Sequence, residues 1–218
     1  MKIAIDGPAG AGKSTVAKIL AKRLGFTYID TGAMYRALTL KALQNKVDLN
    51  NEKELASLVH DTDITFVYHD GEQRVFCDGI DVSEAIRAPQ VNEAVSRVAS
   101  FPAVRKIMVE KQQRLAEKKS VVMDGRDIGE CVLPDADYKF FITASVEERA
   151  RRRKKELDDK GYDVDLQDLK ENIIKRDKAD ASREVGALKI LDDSIVIDTT
   201  CMRIEDVIEE LLKIIGEK

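Results

Sequence analysis

Lys2-Ile3-Ala4-Ile5-Asp6-Gly7-Pro8-Ala9-Gly10-Ala11-Gly12-Lys13-Ser14-Thr15 is the stretch from which the fold can be read. Lys2–Ile5 has the pattern of a buried strand, and Gly7–Ser14 matches GxxxxGK[ST] at every fixed position. From Lys13 to Leu24 the apolar residues Val16, Ile19, Leu20 and Leu24 fall at helical spacing, and Gly25 stops the helix. Strand, glycine-rich loop and helix in that order form a cradle for phosphates. The glycines adopt backbone angles closed to other residues, so successive loop N–H groups turn inward around phosphate oxygens. The helix aims its positive end at the same place. Lys13 is expected to reach the β- and γ-phosphates, and the Ser14 hydroxyl to ligate Mg²⁺. The phosphate-holding set is therefore Gly7, Pro8, Ala9, Gly10, Ala11, Gly12, Lys13, Ser14 and Thr15.

Outward from this loop, short strands alternate with helices. Phe26–Ile29, Ser120–Met123, Tyr138–Ile142 and Ser194–Ile197 read as strands. Ala33–Leu43 and a C-terminal segment carrying Ile204, Val207, Ile208, Leu211 and Leu212 read as helices. That alternation predicts an α/β protein with a parallel sheet covered on both faces. Two segments interrupt it. Ile64–Val82 alternates apolar and polar residues around Asp70-Gly71, with a second turn at Asp78-Gly79, and predicts a small antiparallel insert. Glu147–Tyr162 carries Arg149, Arg151, Arg152, Arg153, Lys154 and Lys155, and reads as a mobile basic helix and turn.

The 218-residue length is enough for one large or two small domains with a sizeable core. A net charge of −4 gives no bulk attraction to nucleic acid or an acidic membrane surface, so basic chemistry must be local. Cys77, Cys131 and Cys201 are odd in number and lack metal spacing, which predicts reduced, mostly buried thiols. No export signal is legible, and no apolar stretch approaches the ~20 residues that span a bilayer. The expectations are cytoplasmic residence with neither nucleic-acid nor membrane partners. A monomer is the default, because no long apolar stripe is left over for an interface.

A phosphate-holding loop of this type serves switches, motors and kinases alike, so a phosphoryl acceptor requires signals of its own. Asn45-Lys46-Val47-Asp48 matches the guanine-reading NKxD of GTP-binding switches, but it follows a helix too soon after the loop, with no DxxG between them. It reads instead as a helix end. Asp30-Thr31-Gly32-Ala33-Met34-Tyr35-Arg36 follows the second strand, where a hydroxyl and an arginine suit an oxyanion. Asp124-Gly125-Arg126-Asp127-Ile128-Gly129 follows the third strand, where open α/β sheets hold ligands. Asp124 occupies a position suited to holding Mg²⁺ through water. For Arg36 and Arg126 a surface ion pair is the alternative. Arg176, Asp180 and Arg183 have spacings that place them on one helical face, either as a solvated ion-pair row or as part of an anion clamp. Neither His60 nor His69 lies near a strand end, so no general base is evident. A phosphate monoester is already largely anionic at neutral pH, so arginines without a base favour a phosphate acceptor.

With these residues assembled, the chain resembles the bacterial-type cytidylate kinases of the nucleoside monophosphate kinase superfamily. The resemblance runs nearly end to end through Ile5–Thr15, Asp30–Arg36, Ser96–Arg105, Val121–Gly129 and Arg176–Arg183. It implies a three-layer, adenylate-kinase-like P-loop fold with five parallel strands in one domain spanning 1–218. The core would be 1–34 and 98–218, the CMP-binding subdomain about 35–97 and the lid about 151–166. It implies transfer of the γ-phosphoryl group of ATP, with Mg²⁺, to CMP and dCMP within pyrimidine nucleotide metabolism; the alternatives are a kinase for another small acceptor such as UMP and, after it, a GTP-binding switch. Lys13, Arg126, Arg183 and Arg153 would stabilise the transferring charge. Thr31, Arg36, Arg126 and Arg183 would hold the CMP phosphate, with Tyr35 in the same motif, and Arg176 and Asp180 would contact the ribose region. Ser96, Arg105 and Asp127 would read the base. Arg149 and Arg153 would share adenine stacking and phosphate contact. Relatives often carry Ser where this chain has Thr31, and the hydroxyl is kept.

Overall fold

A computed structural model describes residues 1–69, 72–159 and 161–216. The expected turn at Asp70-Gly71, and Lys160 of the expected lid, lie outside the described residues. Packing divides the chain into two units, Met1–Tyr28 with Lys118–Lys218, and Ile29–Glu117.

The first unit is built on strand β1 (Lys2–Asp6) and helix α1 (Lys13–Leu24). Strand β2 (Thr27–Asp30) follows, and β6 (Val121–Asp124), β7 (Tyr138–Thr143) and β8 (Ile195–Asp198) complete a five-stranded parallel sheet in the order β2-β6-β1-β7-β8. The expected α/β class and strand number are present. Each strand lies within a residue or two of its expected position, as hydrogen-bonded boundaries normally do. Val121–Asp124 is buried throughout, as suits an inner parallel strand flanked on both sides, whereas edge strand β8 buries only Ile197.

Helix α1 occupies the predicted span. Gly25 ends it in the left-handed region at φ 68, where its N–H reaches back to the Lys22 carbonyl. The C-terminal helix α8 (Ile204–Gly216) presents Val207, Ile208 and Leu211 to the same core as Val16, Leu20 and Phe140. The basic segment forms α6 (Val146–Asp158), capped by the Ser145 hydroxyl accepting from the Glu148 N–H. Helix α7 (Leu166–Ala181) packs with it around Ala150, Leu169 and Ile173.

The second unit carries α2 (Thr31–Gln44), α3 (Glu52–His60), α4 (Pro89–Val98) and α5 (Pro102–Leu115). It also holds the expected antiparallel insert, with β3 (Ile64–His69), β4 (Glu72–Cys77) and β5 (Ile80–Asp81) in that order. The β4–β5 turn has Asp78 at φ 51 and Gly79 at φ 79, the paired positive angles of a tight hairpin. Met34, Leu38, Leu55, Val91 and Met108 belong to its core.

Three expectations change. Helix α2 begins at Thr31, two residues before the expected start at Ala33, because the Asp30 carboxylate accepts from the Ala33 N–H and caps the helix there. Helix α7 ends at Ala181, which leaves Arg183 beyond the helical face that carries Arg176 and Asp180. Of the three thiols only Cys77 is buried, and Cys201 is exposed. Among the described residues no helix is long and apolar enough to cross a membrane.

Candidate active site

In the first unit the ends of β1 and β6 are aligned, with Ile5 opposite Asp124. Everything that follows either strand therefore starts at the carboxyl edge of the sheet, where open α/β sheets bind ligands. After β1 the chain turns into the glycine loop. Gly7 has φ 146, and a Cβ there would lie 2.0 Å from the Ile142 carbonyl oxygen, so β7 backs the loop so closely that only glycine fits.

Lys13 is 6% exposed, and its Nζ donates to the Pro8 carbonyl at 2.8 Å. Burial draws its ammonium pKa well below the usual lysine range; Arg126 adds to that pull while Asp124 and Asp6 oppose it. A phosphate anion would act in the same direction as the carboxylates. The Ser14 hydroxyl donates to Asp124 Oδ2 at 2.7 Å, and Tyr28 donates to Asp124 Oδ1 at 2.8 Å. That geometry suits a divalent cation: the serine oxygen keeps a lone pair for it, and the anchored carboxylate stands ready to accept from a coordinated water. Among the described residues no group of three or more His, Cys, Asp or Glu forms a metal cage, so a cation here would share its ligands with phosphate oxygens.

After β6, Arg126 and Arg183 converge on one carboxylate. Asp180 Oδ2 accepts from Arg126 Nε at 2.8 Å, and its Oδ1 accepts from Arg183 Nη2. Asp180 is 1% exposed. Burial alone would raise its pKa, but Arg126 and Arg183 outweigh that and hold the carboxyl below the usual range. The structure thus brings together Arg126, Asp180 and Arg183 although Arg183 lies outside the helix. Arg176 lies on α7, one turn before Asp180, and is half-buried.

Two arginines of α6 meet the glycine loop from outside. Arg149 is 4% exposed, not part of a solvated basic face; its guanidinium donates to the carbonyls of Ala144 and Ala9 and pairs with Asp177 at 2.7 Å. Arg152 donates to the Ala11 carbonyl and to Thr199. Arg153 is more exposed and pairs with Glu156 at 2.9 Å. Arg152, Asp177 and Thr199 were not singled out from the sequence. Arg152 is one of five consecutive basic residues, and nothing in that run tells which arginine faces the loop.

Asp6 was missed as well. It is 7% exposed, and its two carboxylate oxygens accept from the N–H groups of Ile128 and Gly129, each at 2.8 Å. Burial pushes its pKa up to about 6 against the pull of those amides, with Asp127 adding to the rise and Lys13 opposing it. An acidic residue closing an apolar strand was the available signal. Asp127 itself is buried and opens the helical turn Ile128–Val132.

The second unit carries the other expected residues. Thr31 is buried at the first position of α2, with Tyr35 also buried and Arg36 half-buried along the same helix. Ser96 is half-buried on α4. Arg105 is 2% exposed on α5, donates to the Ala99 carbonyl at 3.0 Å, and sits 5.5 Å from the centroid of the Tyr35 ring, a cation–π contact. Asn45 caps the end of α2 and Lys46 follows at φ 55, so Asn45–Asp48 is a helix end, as expected.

A cytidylate kinase family model matches residues 3–217. A cytidylate kinase of Caldanaerobacter subterraneus subsp. tengcongensis is 56% identical over 215 residues, which cover 99% of this chain and 94% of that protein. One from Carboxydothermus hydrogenoformans is 51% identical over 218 residues, covering 100% and 98%. Among solved structures, an uncharacterized protein from Eubacterium ventriosum aligns with a TM-score of 0.53 at 16% identity, covering 100% of this chain and 99% of that one. A shikimate kinase from Bacteroides thetaiotaomicron aligns with a TM-score of 0.51 at 15% identity, covering 99% and 98%. At such identities the structural likeness speaks for the fold alone.

Proposed function

The chain belongs to the cytidylate kinase family, and from that premise we propose that it transfers the γ-phosphoryl group of ATP to CMP and dCMP, yielding CDP and dCDP. The observation that carries this reading is the pair Arg126 and Arg183 bracketed by buried Asp180, in the same unit as Lys13 and the glycine loop. Cations fixed in advance beside a triphosphate cradle supply most of what phosphoryl transfer requires.

Each unit has its own proposed part. In the first, the loop N–H groups of Gly7–Thr15 and Lys13 hold the ATP phosphates, with Arg149 and Arg153 on the adenine and phosphate side. Ser14 would ligate Mg²⁺, and Asp124 would hold it through water; the ion supplies charge neutralisation on the phosphates. Arg126 and Arg183 take the CMP phosphate, Arg176 and Asp180 the ribose, and Asp127 accepts from the cytosine amino group. In the second, Thr31 and Arg36 bind phosphate, Tyr35 supports them, and Ser96 and Arg105 serve the acceptor atoms of the base. The functional division remains a core of 1–34 and 98–218, a CMP-binding segment of about 35–97 and a lid of about 151–166.

A CMP phosphate oxygen attacks in line, without a general base because it is already anionic. Lys13, Arg126, Arg183 and Arg153 stabilise the charge spread over the transferring group, and lid closure keeps water from competing as acceptor. The protein is proposed to act as a monomer in the cytoplasm on free nucleotides. A coupled assay tests this, with ATP and Mg²⁺ against CMP, dCMP, UMP, AMP and a no-acceptor control. ADP release dependent on CMP or dCMP is expected, and release independent of acceptor would sink the reading. Lys13→Ala should remove nearly all transfer.

A further inference from the structure

Residues 126 and 127 are suspended between two tethers to β1. On one side the Gly125 N–H donates to the Ile5 carbonyl at 3.0 Å. On the other, the Ile128 and Gly129 N–H groups donate to the two oxygens of Asp6, each at 2.8 Å. The first tether is backbone to backbone and independent of sequence. The second depends on one side chain. Asp6 thereby caps the helical turn Ile128–Val132 from a distant strand, a task normally left to the residue just before the turn. The Asp127 carbonyl accepts from the Cys131 N–H within that turn, so a shift of the turn carries Asp127 with it. Asp6 also immediately precedes Gly7, so the residue that holds the turn after β6 is the one from which the glycine loop leaves β1.

We propose that Asp6 is a positioning residue for acceptor selection: through the amides of Ile128 and Gly129 it fixes where Asp127 and Arg126 stand, and so sets how strictly the site separates CMP from UMP. The inference rests on the proposed role of Asp127 as base reader. Asp6 acts on the base reader through the turn, since its two oxygens accept from the Ile128 and Gly129 amides. An amide in its place can accept one N–H but presents its own N–H₂ to the other, leaving one tether opposed donor to donor.

The test compares kcat/KM for CMP and UMP in the wild type, Asp6→Asn, Asp6→Glu and Asp127→Ala, with circular dichroism as a check on folding. Asp6→Asn should narrow the CMP-to-UMP ratio about tenfold and raise KM for CMP more than KM for ATP. Asp6→Glu keeps both acceptors one bond further out and should retain more of the ratio. Loss of folded protein lowers all activities together and leaves a ratio untouched. If Asp6→Asn fails to fold, a ratio narrowed in Asp6→Glu carries the proposal. An unchanged ratio in a folded variant overturns it. A wild type without CMP preference, or Asp127→Ala with an unchanged ratio, defeats the base-reader assignment instead, and the inference falls with it.

Discussion

Arg126 and Asp180, 54 residues apart in sequence, are joined by a 2.8 Å hydrogen bond from the guanidinium to the carboxylate. The other Asp180 oxygen holds Arg183, so one buried anion sets the spacing of two cations. A guanidinium is a rigid fork, and its value to a phosphate depends on orientation as much as on charge. Asp180→Asn should therefore raise KM for CMP about tenfold or more while changing KM for ATP much less, because the amide turns donors toward one of the arginines. Steady-state kinetics with each nucleotide varied in turn would show it. The same pairing has a pH signature: the Asp180 pKa is depressed in the folded chain, so its stabilising contribution is present above the unfolded carboxylate pKa and is lost as pH falls through the folded value. Equal KM shifts for both nucleotides would contradict the acceptor-side assignment.

Ser14 and Asp124 make a second testable pair, linked at 2.7 Å. The serine oxygen is the proposed cation ligand and Asp124 acts one water further out. Ser14→Ala should raise the Mg²⁺ concentration for half-maximal activity about tenfold, and Asp124→Asn by a smaller factor. A Mg²⁺ titration at saturating ATP and CMP separates them. An unchanged titration midpoint in Ser14→Ala would remove the hydroxyl from the metal.

The core of the fold was legible because its signals are local. The glycine loop fixes a strand before it and a helix after it, and the apolar spacing of α1 and α8 gives their buried faces. What escaped depends on partners distant in sequence. Nothing near Asp6 indicates that amides at 128 and 129 need acceptors, and nothing in the basic run 151–155 marks Arg152, rather than Arg153, as a residue that joins Arg149 at the loop. The helical row of Arg176, Asp180 and Arg183 failed for a related reason. Arg183 lies past the end of α7, yet it still reaches Asp180 from outside the helix.

Asp6 makes a prediction for stability separate from selectivity. Its pKa rises from 3.8 to about 6 on folding, so between those values the folded chain binds more protons than the unfolded one. Stability from this group therefore falls as pH rises through that window, opposite in sign to Asp180. The stability of the wild type relative to Asp6→Asn should decline by on the order of 2 kcal/mol from pH 4 to pH 6, since the amide does not titrate. Paired urea titrations at each pH isolate the difference from all other carboxylates. A flat difference would mean that Asp6 ionises in the fold as easily as in water.

The close approach of β7 to the glycine loop yields the sharpest contrast between two substitutions of one type. A Cβ on Gly7 would lie 2.0 Å from the Ile142 carbonyl oxygen and 3.0 Å from its carbon, with the backbone at φ 146. Neither atom is the end of a flexible side chain, so the strand or the loop must move. At Gly25, φ is 68 and nothing lies within 4 Å of the added Cβ. Gly25→Ala should cost about 1 kcal/mol, the ordinary penalty of a left-handed residue. Gly7→Ala should cost about 2–4 kcal/mol and also weaken ATP binding, because the displaced backbone is the one proposed to line the phosphates. Thermal unfolding with and without ATP distinguishes them: Gly25→Ala should keep the full ATP-induced rise in Tm, and Gly7→Ala should lose most of it. An equal rise in both would mean that the loop tolerates displacement at its first residue, and that the closeness of β7 matters to the fold but not to the nucleotide.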